Sequence, residues 1–312
     1  MHVPVLLKEA IEVLNPQPGE FFIDGTLGGG GHAMEIIKRI SPNGIFLGMD
    51  WDKSAIENFQ QNLKPKTPKL KAIKLIQNNY ADIAEILKEI NKTDSLIPFK
   101  VSGLIVDLGL SSDQLENSGR GFSFLKDEIL DMRFDSESKE PTATEIINSF
   151  SEKELAGIFW KYGEEGNSRR VAKEIVEKRR KNRIKTTFEL VKIIENTVPR
   201  RGKIHPATKV FQALRIYIND EFGNLEKLLK SLNNILAKGG RAAIISFHSL
   251  EDRLVKNCFR DIAKRGQAEI LTKKPIVPSQ EEIKNNQRSR SAKLRAIKIT
   301  LAYDNNSTTQ KQ

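Results

Sequence analysis

The residues of this 312-residue chain that could do chemistry gather in a few short runs. The first is Phe21-Phe22-Ile23-Asp24-Gly25-Thr26-Leu27-Gly28-Gly29-Gly30-Gly31-His32, where an apolar stretch ends in an acid and runs into glycines. The apolar part reads as a buried strand, and the glycines let backbone approach a ligand where a side chain would collide. Ala33 to Ile40 can then start a helix, which puts free amides at a strand-to-helix turn. Such a turn suits a nucleotide-like cofactor. A carboxylate at the strand end repels a pyrophosphate but suits the sulfonium, the ammonium and the ribose hydroxyls of S-adenosylmethionine.

Asp50 closes a second apolar stretch, Ile45 to Met49, about 20 residues beyond the glycines, where an acid holds ribose hydroxyls. Gly28-Gly29-Gly30-Gly31-His32-Ala33 also meets the loose G-x-G-x-x-G/A pattern of nicotinamide enzymes. The pair of signals therefore leaves two cofactors open, and Asp24 favours the methyl donor. Tyr80, in Gln77-Asn78-Asn79-Tyr80-Ala81-Asp82, can lay a ring against adenine or sit half-buried at a strand end. A further apolar run ends in Leu104-Ile105-Val106-Asp107-Leu108-Gly109-Leu110-Ser111-Ser112-Asp113-Gln114. Strand ends of a doubly wound sheet face the ligand crevice, so Asp107, Ser111 and Gln114 would look at the reacting groups. Asp107 as a helix cap and Ser111-Ser112 as a plain turn are the alternatives.

Other chemistry finds less support. His2, His32, His205 and His248 lack the short spacing of a zinc site, and the single cysteine, Cys258, has no partner, so a structural metal is not expected. Ser249 to Asp252 fits a capping box with His248 as its flank. One cysteine also suits a reducing cytoplasm. The start lacks a signal-peptide plan, and no apolar run approaches the roughly 18 residues of a membrane span. The formal charge of +11 favours an anionic partner, nucleic acid first. Cations cluster at Arg169, Arg170, Lys173, Lys178, Arg179, Arg180, Lys181, Arg183 and Lys185. They cluster again at Arg200, Arg201 and Lys203, and at Arg288, Arg290, Lys293 and Arg295. Serines in Arg288-Ser289-Arg290-Ser291 suit phosphate contacts.

The elements that must position these residues follow from periodicity. Strands are expected at Phe21–Asp24, Ile45–Asp50, Leu75–Gln77, Gly103–Asp107, Ala242–Phe247 and Ala296–Ala302, with helices between the first four, such as Ser54–Leu63 and Ile83–Ile90. From Ser111 to about Gly202 charged amphipathic helices take over, clearest at Glu152–Lys161 and Val171–Arg180. Thr208–Asn219 and Leu225–Leu236 follow as helices, then Lys238-Gly239-Gly240-Arg241 as a stop-and-turn. The expected fold is α/β, a doubly wound, mostly parallel sheet, with a helical insertion. Its domains are 1–111 with 203–312, and 112–202 as the insertion. The polar end from Asn305 reads as disordered.

Several runs, in order along nearly the whole chain, resemble one family, the bacterial enzymes that methylate N4 of a cytosine in 16S ribosomal RNA. The runs include His2-Val3-Pro4-Val5-Leu6-Leu7, Asp24-Gly25-Thr26-Leu27-Gly28, Asp107-Leu108-Gly109, Arg120-Gly121-Phe122-Ser123-Phe124 and Leu130-Asp131-Met132-Arg133. Further along are Tyr162-Gly163-Glu164-Glu165, His205-Pro206-Ala207-Thr208, Phe211-Gln212-Ala213-Leu214-Arg215-Ile216, Phe247-His248-Ser249-Leu250-Glu251-Asp252-Arg253 and Arg290-Ser291-Ala292-Lys293-Leu294-Arg295. The resemblance implies a class I methyltransferase fold, S-adenosylmethionine as donor and a decoding-region cytosine in the small subunit as target. Its cofactor positions fall on Gly30, Gly31, His32, Asp50, Tyr80, Asp107 and Gln114. Tyr80 stands where the family often has phenylalanine, Asp113 and Ile129 where proline is usual, and Gly166 where arginine is common. A Pro-Pro-aromatic motif is missing after Asp107, so no general base is named. Cys258 lacks the setting for methylation at ring carbon. A nicotinamide-dependent oxidoreductase and a non-catalytic RNA-binding assembly factor stand as the alternatives.

Overall fold

The structure, a computed structural model, describes residues 4–63, 69–200 and 205–301. The readings at His2, Arg201, Lys203 and the tail from Asn305, and the side chains of Ser112 and Asp113, lie outside the described residues. In chain order the elements begin with α1 (Leu7–Leu14), β1 (Phe21–Asp24), α2 (Gly31–Ile40), β2 (Ile45–Asp50), α3 (Lys53–Leu63), β3 (Ala72–Gln77), α4 (Ile83–Thr93) and β4 (Val101–Asp107). Helices follow: α5 (Ser112–Glu116), α6 (Ala143–Ser149), α7 (Glu152–Gly163), α8 (Ser168–Arg179), α9 (Thr187–Thr197) and α10 (Ala207–Ile218). The chain closes with α11 (Glu221–Ile235), β5 (Leu236–Ser246), α12 (Ser249–Lys264), β6 (Ala268–Ile270), α13 (Gln280–Asn285) and β7 (Lys293–Ile299).

Two compact units result: Met1–Gly109 with Gly223–Gln312, and Leu110–Phe222. Helix α10, expected in the first unit, belongs to the second. Its packing explains this, because a Cβ at Gly163 of α7 would lie 2.4 Å from the Lys209 carbonyl.

In the first unit seven strands form one sheet in the order β3-β2-β1-β4-β5-β7-β6. Strands β1 to β5 pair in parallel, and β7 runs antiparallel to both β5 and β6. Helices cover both faces, so the central strands are apolar throughout rather than alternating. Phe21, Ile23, Leu104 and Val106 join a core with Leu225, Leu228, Leu229 and Leu232 of α11. Phe22, Phe46 and Ile105 join the core of the opposite face with Ile36 and Ile37 of α2. The sequence order β4, insertion, β5 leaves the sheet intact, since β4 and β5 still pair side by side.

The expected turn at Lys238–Arg241 is instead part of β5. Opposite β4 the pairing moves from Val101↔Leu236 to Gly103↔Arg241, a bulge that absorbs the extra residues. Strand β6 was not foreseen; three residues give no period, and it exists because β7 pairs with it.

The second unit has its own core, built from Ile146, Leu155, Phe159, Val171, Ile175, Leu190, Phe211 and Leu214 among others. Thr142 with Glu145, Ser151 with Glu154, and Thr186 with Glu189 make capping boxes that open α6, α7 and α9.

Candidate cofactor site at the carboxyl edge of the sheet

Three acids end three neighbouring strands: Asp24 on β1, Asp50 on β2 and Asp107 on β4. Parallel pairing in register Asp24↔Gly48 and Asp24↔Ile105 carries them to the same edge. The glycine loop is tied between them. The Gly25 amide donates to the Ile105 carbonyl at 2.9 Å, and Leu27 N–H to the Met49 carbonyl at 2.8 Å. Asp50 Oδ2 accepts the Gly28 N–H at 2.8 Å, and Oδ1 accepts the Asp52 N–H at 2.8 Å.

Thr26, which the sequence reading passed over, links two of the acids. Its Oγ1 accepts the Asp107 N–H at 2.6 Å, and its own N–H donates to Asp24 Oδ1 at 3.1 Å. The signal was present in its place between Asp24 and the glycines. A hydroxyl there can only turn back on the strand ends.

The loop has little room. Gly30 precedes α2 at φ 75°, in the left-handed region, and a Cβ there would meet the Phe59 ring at 2.3 Å. Beside Gly25, the Tyr80 Cβ lies 3.2 Å from where a side chain would begin. Tyr80 is therefore next to the loop, in a single-turn helix that Asn79 caps by accepting the Ala81 N–H.

Three acids crowd this edge, and burial makes charge costly there. Burial pushes Asp24 well above the usual carboxylate range, and repulsion from Asp107 and Asp50 pushes it further, against the Thr26 hydrogen bond. Burial also raises Asp50, to about 6, against the hydrogen bonds from Gly28 and Asp52. Among the described residues no lysine or arginine pairs with Asp24 or Asp50. The edge accepts cations and hydroxyl donors and disfavours a diphosphate.

Two predicted positions behave differently. His32 is buried, and its Nε2 lies 3.0 Å from the Val5 carbonyl. Burial lowers its pKa to about 4, so the ring is neutral and donates to Val5, holding the start of the chain. The Nε2 edge of the ring is thus taken up by the protein itself. Gln114 lies in the second unit on α5, where its Oε1 accepts the Ser111 N–H at 2.9 Å and its N–H donates to Ser111 Oγ at 3.1 Å. The structure thus brings Gly30, Gly31, Asp50, Tyr80 and Asp107 to one strand edge, with His32 turned away by its side chain.

Other expectations change in detail. The capping box of α12 starts one residue earlier than expected: His248 is the cap and Glu251 its partner. In the late basic run, Arg295 is buried and its Nε binds Asp252 Oδ1 at 2.6 Å, with Lys293 at 3.4 Å from Oδ2. Burial works to raise Asp252, but these two cations outweigh it and hold the carboxyl low. Ser289 is fully buried and bonds the Asn286 carbonyl, so it offers nothing to a phosphate. Arg179 likewise donates to the Ile147 carbonyl at 2.6 Å. Arg169, Arg170, Lys173, Arg180, Lys181, Arg183 and Lys185 are exposed.

Sheet order, a reversed seventh strand and acid-tipped strands around a glycine loop define a nucleotide-type cofactor enzyme of the class I methyltransferase fold. The chain matches the MraW methylase family over residues 1–300, and it belongs to that family. It is a methyltransferase. Ribosomal RNA small subunit methyltransferase H of Clostridioides difficile (strain 630) is 42% identical, covering 94% of this chain and 97% of that one. The protein of the same name from Syntrophus aciditrophicus (strain SB) is 45% identical, covering 94% and 96%. Among solved structures, NSun6 from Pyrococcus horikoshii is similar at TM-score 0.46 and 10% identity, covering 96% of this chain and 53% of that one.

Proposed function

We propose that this chain transfers a methyl group from S-adenosylmethionine to the exocyclic N4 of a cytosine in the decoding region of 16S ribosomal RNA. The observation that carries the cofactor assignment is the cluster of acids at the strand edge, where Asp24 and Asp50 are raised by burial and meet no cation, so that a bound positive charge would favour their ionised forms. The names of the curated relatives supply the ribosomal RNA of the small subunit as substrate.

S-adenosylmethionine, when bound, supplies a methyl group activated by a sulfonium. In this reading the Asp50 carboxylate would hold the ribose, Gly30 and Gly31 would present backbone to the amino-acid part, and His32, whose Nε2 is held by Val5, would take part through its backbone N–H. Tyr80, beside Gly25, would lie against the adenine, and Asp107, at the end of β4, would serve as a further cofactor contact. Gln114 is retained as a cofactor contact on the resemblance alone.

The cytosine amine is a poor nucleophile because its lone pair is spread into the ring. Positioning amine and methyl in line, about 3–3.5 Å apart, is the main source of rate. Acceptors on the amine would turn the lone pair toward the methyl and take up positive charge. A covalent route through Cys258 is disfavoured, since burial raises its thiol to about 11 and its Sγ lies 3.7 Å from the Leu229 carbonyl. The target must also be unstacked, and we assign its capture to the helical unit, with its exposed cations. No helix among the described residues is long and apolar enough to cross a membrane, and a cytoplasmic site of action follows from the ribosomal substrate.

The test is incorporation of labelled methyl into small subunits from cells lacking this protein, followed by mass mapping of the nucleoside. N4-methylcytidine is the expected product. A methyl on ring carbon, or on no ribosomal RNA, would overturn the assignment, and binding without transfer would favour an assembly factor.

A further inference from the structure

Helix α7 buries Leu155, Ile158 and Phe159 and turns a different stripe outward. That stripe is Lys153, Gly157, Trp160, Lys161 and Glu164, at the spacing of one helix face. Trp160 is 64% exposed, the largest side chain in the second unit left so open. Its indole makes no hydrogen bond or ring contact among the described residues. Nothing in the core accounts for a tryptophan here.

One turn before it, Gly157 is exposed, and a Cβ there would touch nothing within 4 Å. The space beside Gly157 is therefore open. Cations frame it. Lys153 lies on the same stripe, Lys161 stands 4.8 Å over the Tyr162 ring, and Lys209 of α10 donates to the Glu164 carbonyl at 2.9 Å. Glu152 and Glu154 stand in the first turn of α7 and Glu164 at its end, and between them the one charge is Lys161, next to Trp160.

We propose that this face of α7 is a stacking platform for one unpaired base of single-stranded RNA, with the base on Trp160 and the flanking phosphates on Lys153, Lys161 and Lys209. A flat indole offers a π-face that any base can use, and lysines beside it answer the backbone charge. An apolar protein partner would meet three lysines it cannot pair. The inference rests on the ribosomal RNA reading given above and assigns it a surface.

The experiment titrates a fluorescently labelled single-stranded RNA oligonucleotide with the full chain, its Trp160→Ala and Trp160→Tyr variants, and a Lys153→Gln/Lys161→Gln variant. Trp160→Ala should weaken binding roughly tenfold with an unchanged salt slope, while Trp160→Tyr stays within about threefold. The double lysine variant should flatten the salt slope by roughly two charges. Equal affinity for wild type and Trp160→Ala, in a protein that still binds RNA and methylates subunits, would overturn the platform and leave the function standing. A wild-type chain that neither binds RNA nor methylates it would overturn both.

Discussion

The two units handle charge in opposite ways. In the α/β unit the functional charges are short carboxylates on strand ends, buried and pinned by backbone amides of the next loop. In the helical unit they are long cations in solvent, several tied only into exposed pairs one turn apart, such as Lys173–Glu177 and Lys178–Glu174. Buried charge is strong, weakly screened and tied to pH; exposed charge is weak for each residue, additive and tied to salt. That division fits the proposed function, with a small cationic cofactor assigned to one unit and a polyanion to the other.

The comparison can be broken first at Asp50. Replacing it with alanine removes a charged acceptor and leaves the Gly28 and Asp52 amides without their partner. Affinity for S-adenosylmethionine should fall roughly 10- to 100-fold by calorimetry. Unchanged affinity would mean the acid is merely a loop anchor.

A smaller effect is expected from pH. Burial holds Asp50 at about 6, so it is protonated below that value when no ligand is bound. Cofactor affinity should weaken below about pH 6, by up to about tenfold per unit for one proton displaced. Asp50→Asn should be flat over the same range. In the free protein the sign reverses. An acid raised from 3.8 to about 6 binds its proton more tightly when folded. Its protonated form thus favours the fold at low pH, and that advantage is lost as pH rises from about 4 to about 6. Melting curves of wild type against Asp50→Asn should converge or cross in that window.

Weaker still, for each residue, is the basic edge after α8. Reversing Arg180, Lys181 and Arg183 together should reduce the salt slope of RNA binding by about three charges. Arg179 is excluded because it holds the Ile147 carbonyl, and its loss would confuse folding with binding. The smallest effect sought is none: Cys258→Ser should keep turnover, and a dead enzyme would reopen a covalent route.

How much of this was legible in the sequence follows the same division. Strands β1 and β2 were read to the residue, because strands buried on both faces write unbroken apolar runs that end in acids. The long helices α7, α8 and α11 were found from their apolar faces. The short α6 and the helix α9 were missed, although Thr142/Glu145 and Thr186/Glu189 spell their caps. Site geometry was harder. The roles of His32, Arg179 and Arg295 turned on partners distant in sequence, at Val5, Ile147 and Asp252, and that of Ser289 on its burial. Charge in a sequence says nothing of whether a cation faces solvent or a carboxylate. The exposed Trp160 was likewise invisible, since a tryptophan between Phe159 and Tyr162 reads as core.

The most direct test is a calorimetric titration of the full chain with S-adenosylmethionine and, separately, with NADH at neutral pH. The account predicts one site for the first ligand and no heat from the second, and in a repeat below about pH 6 a proton release on binding that is smaller in Asp50→Asn. Saturable binding of NADH, with none of the sulfonium compound, would contradict it.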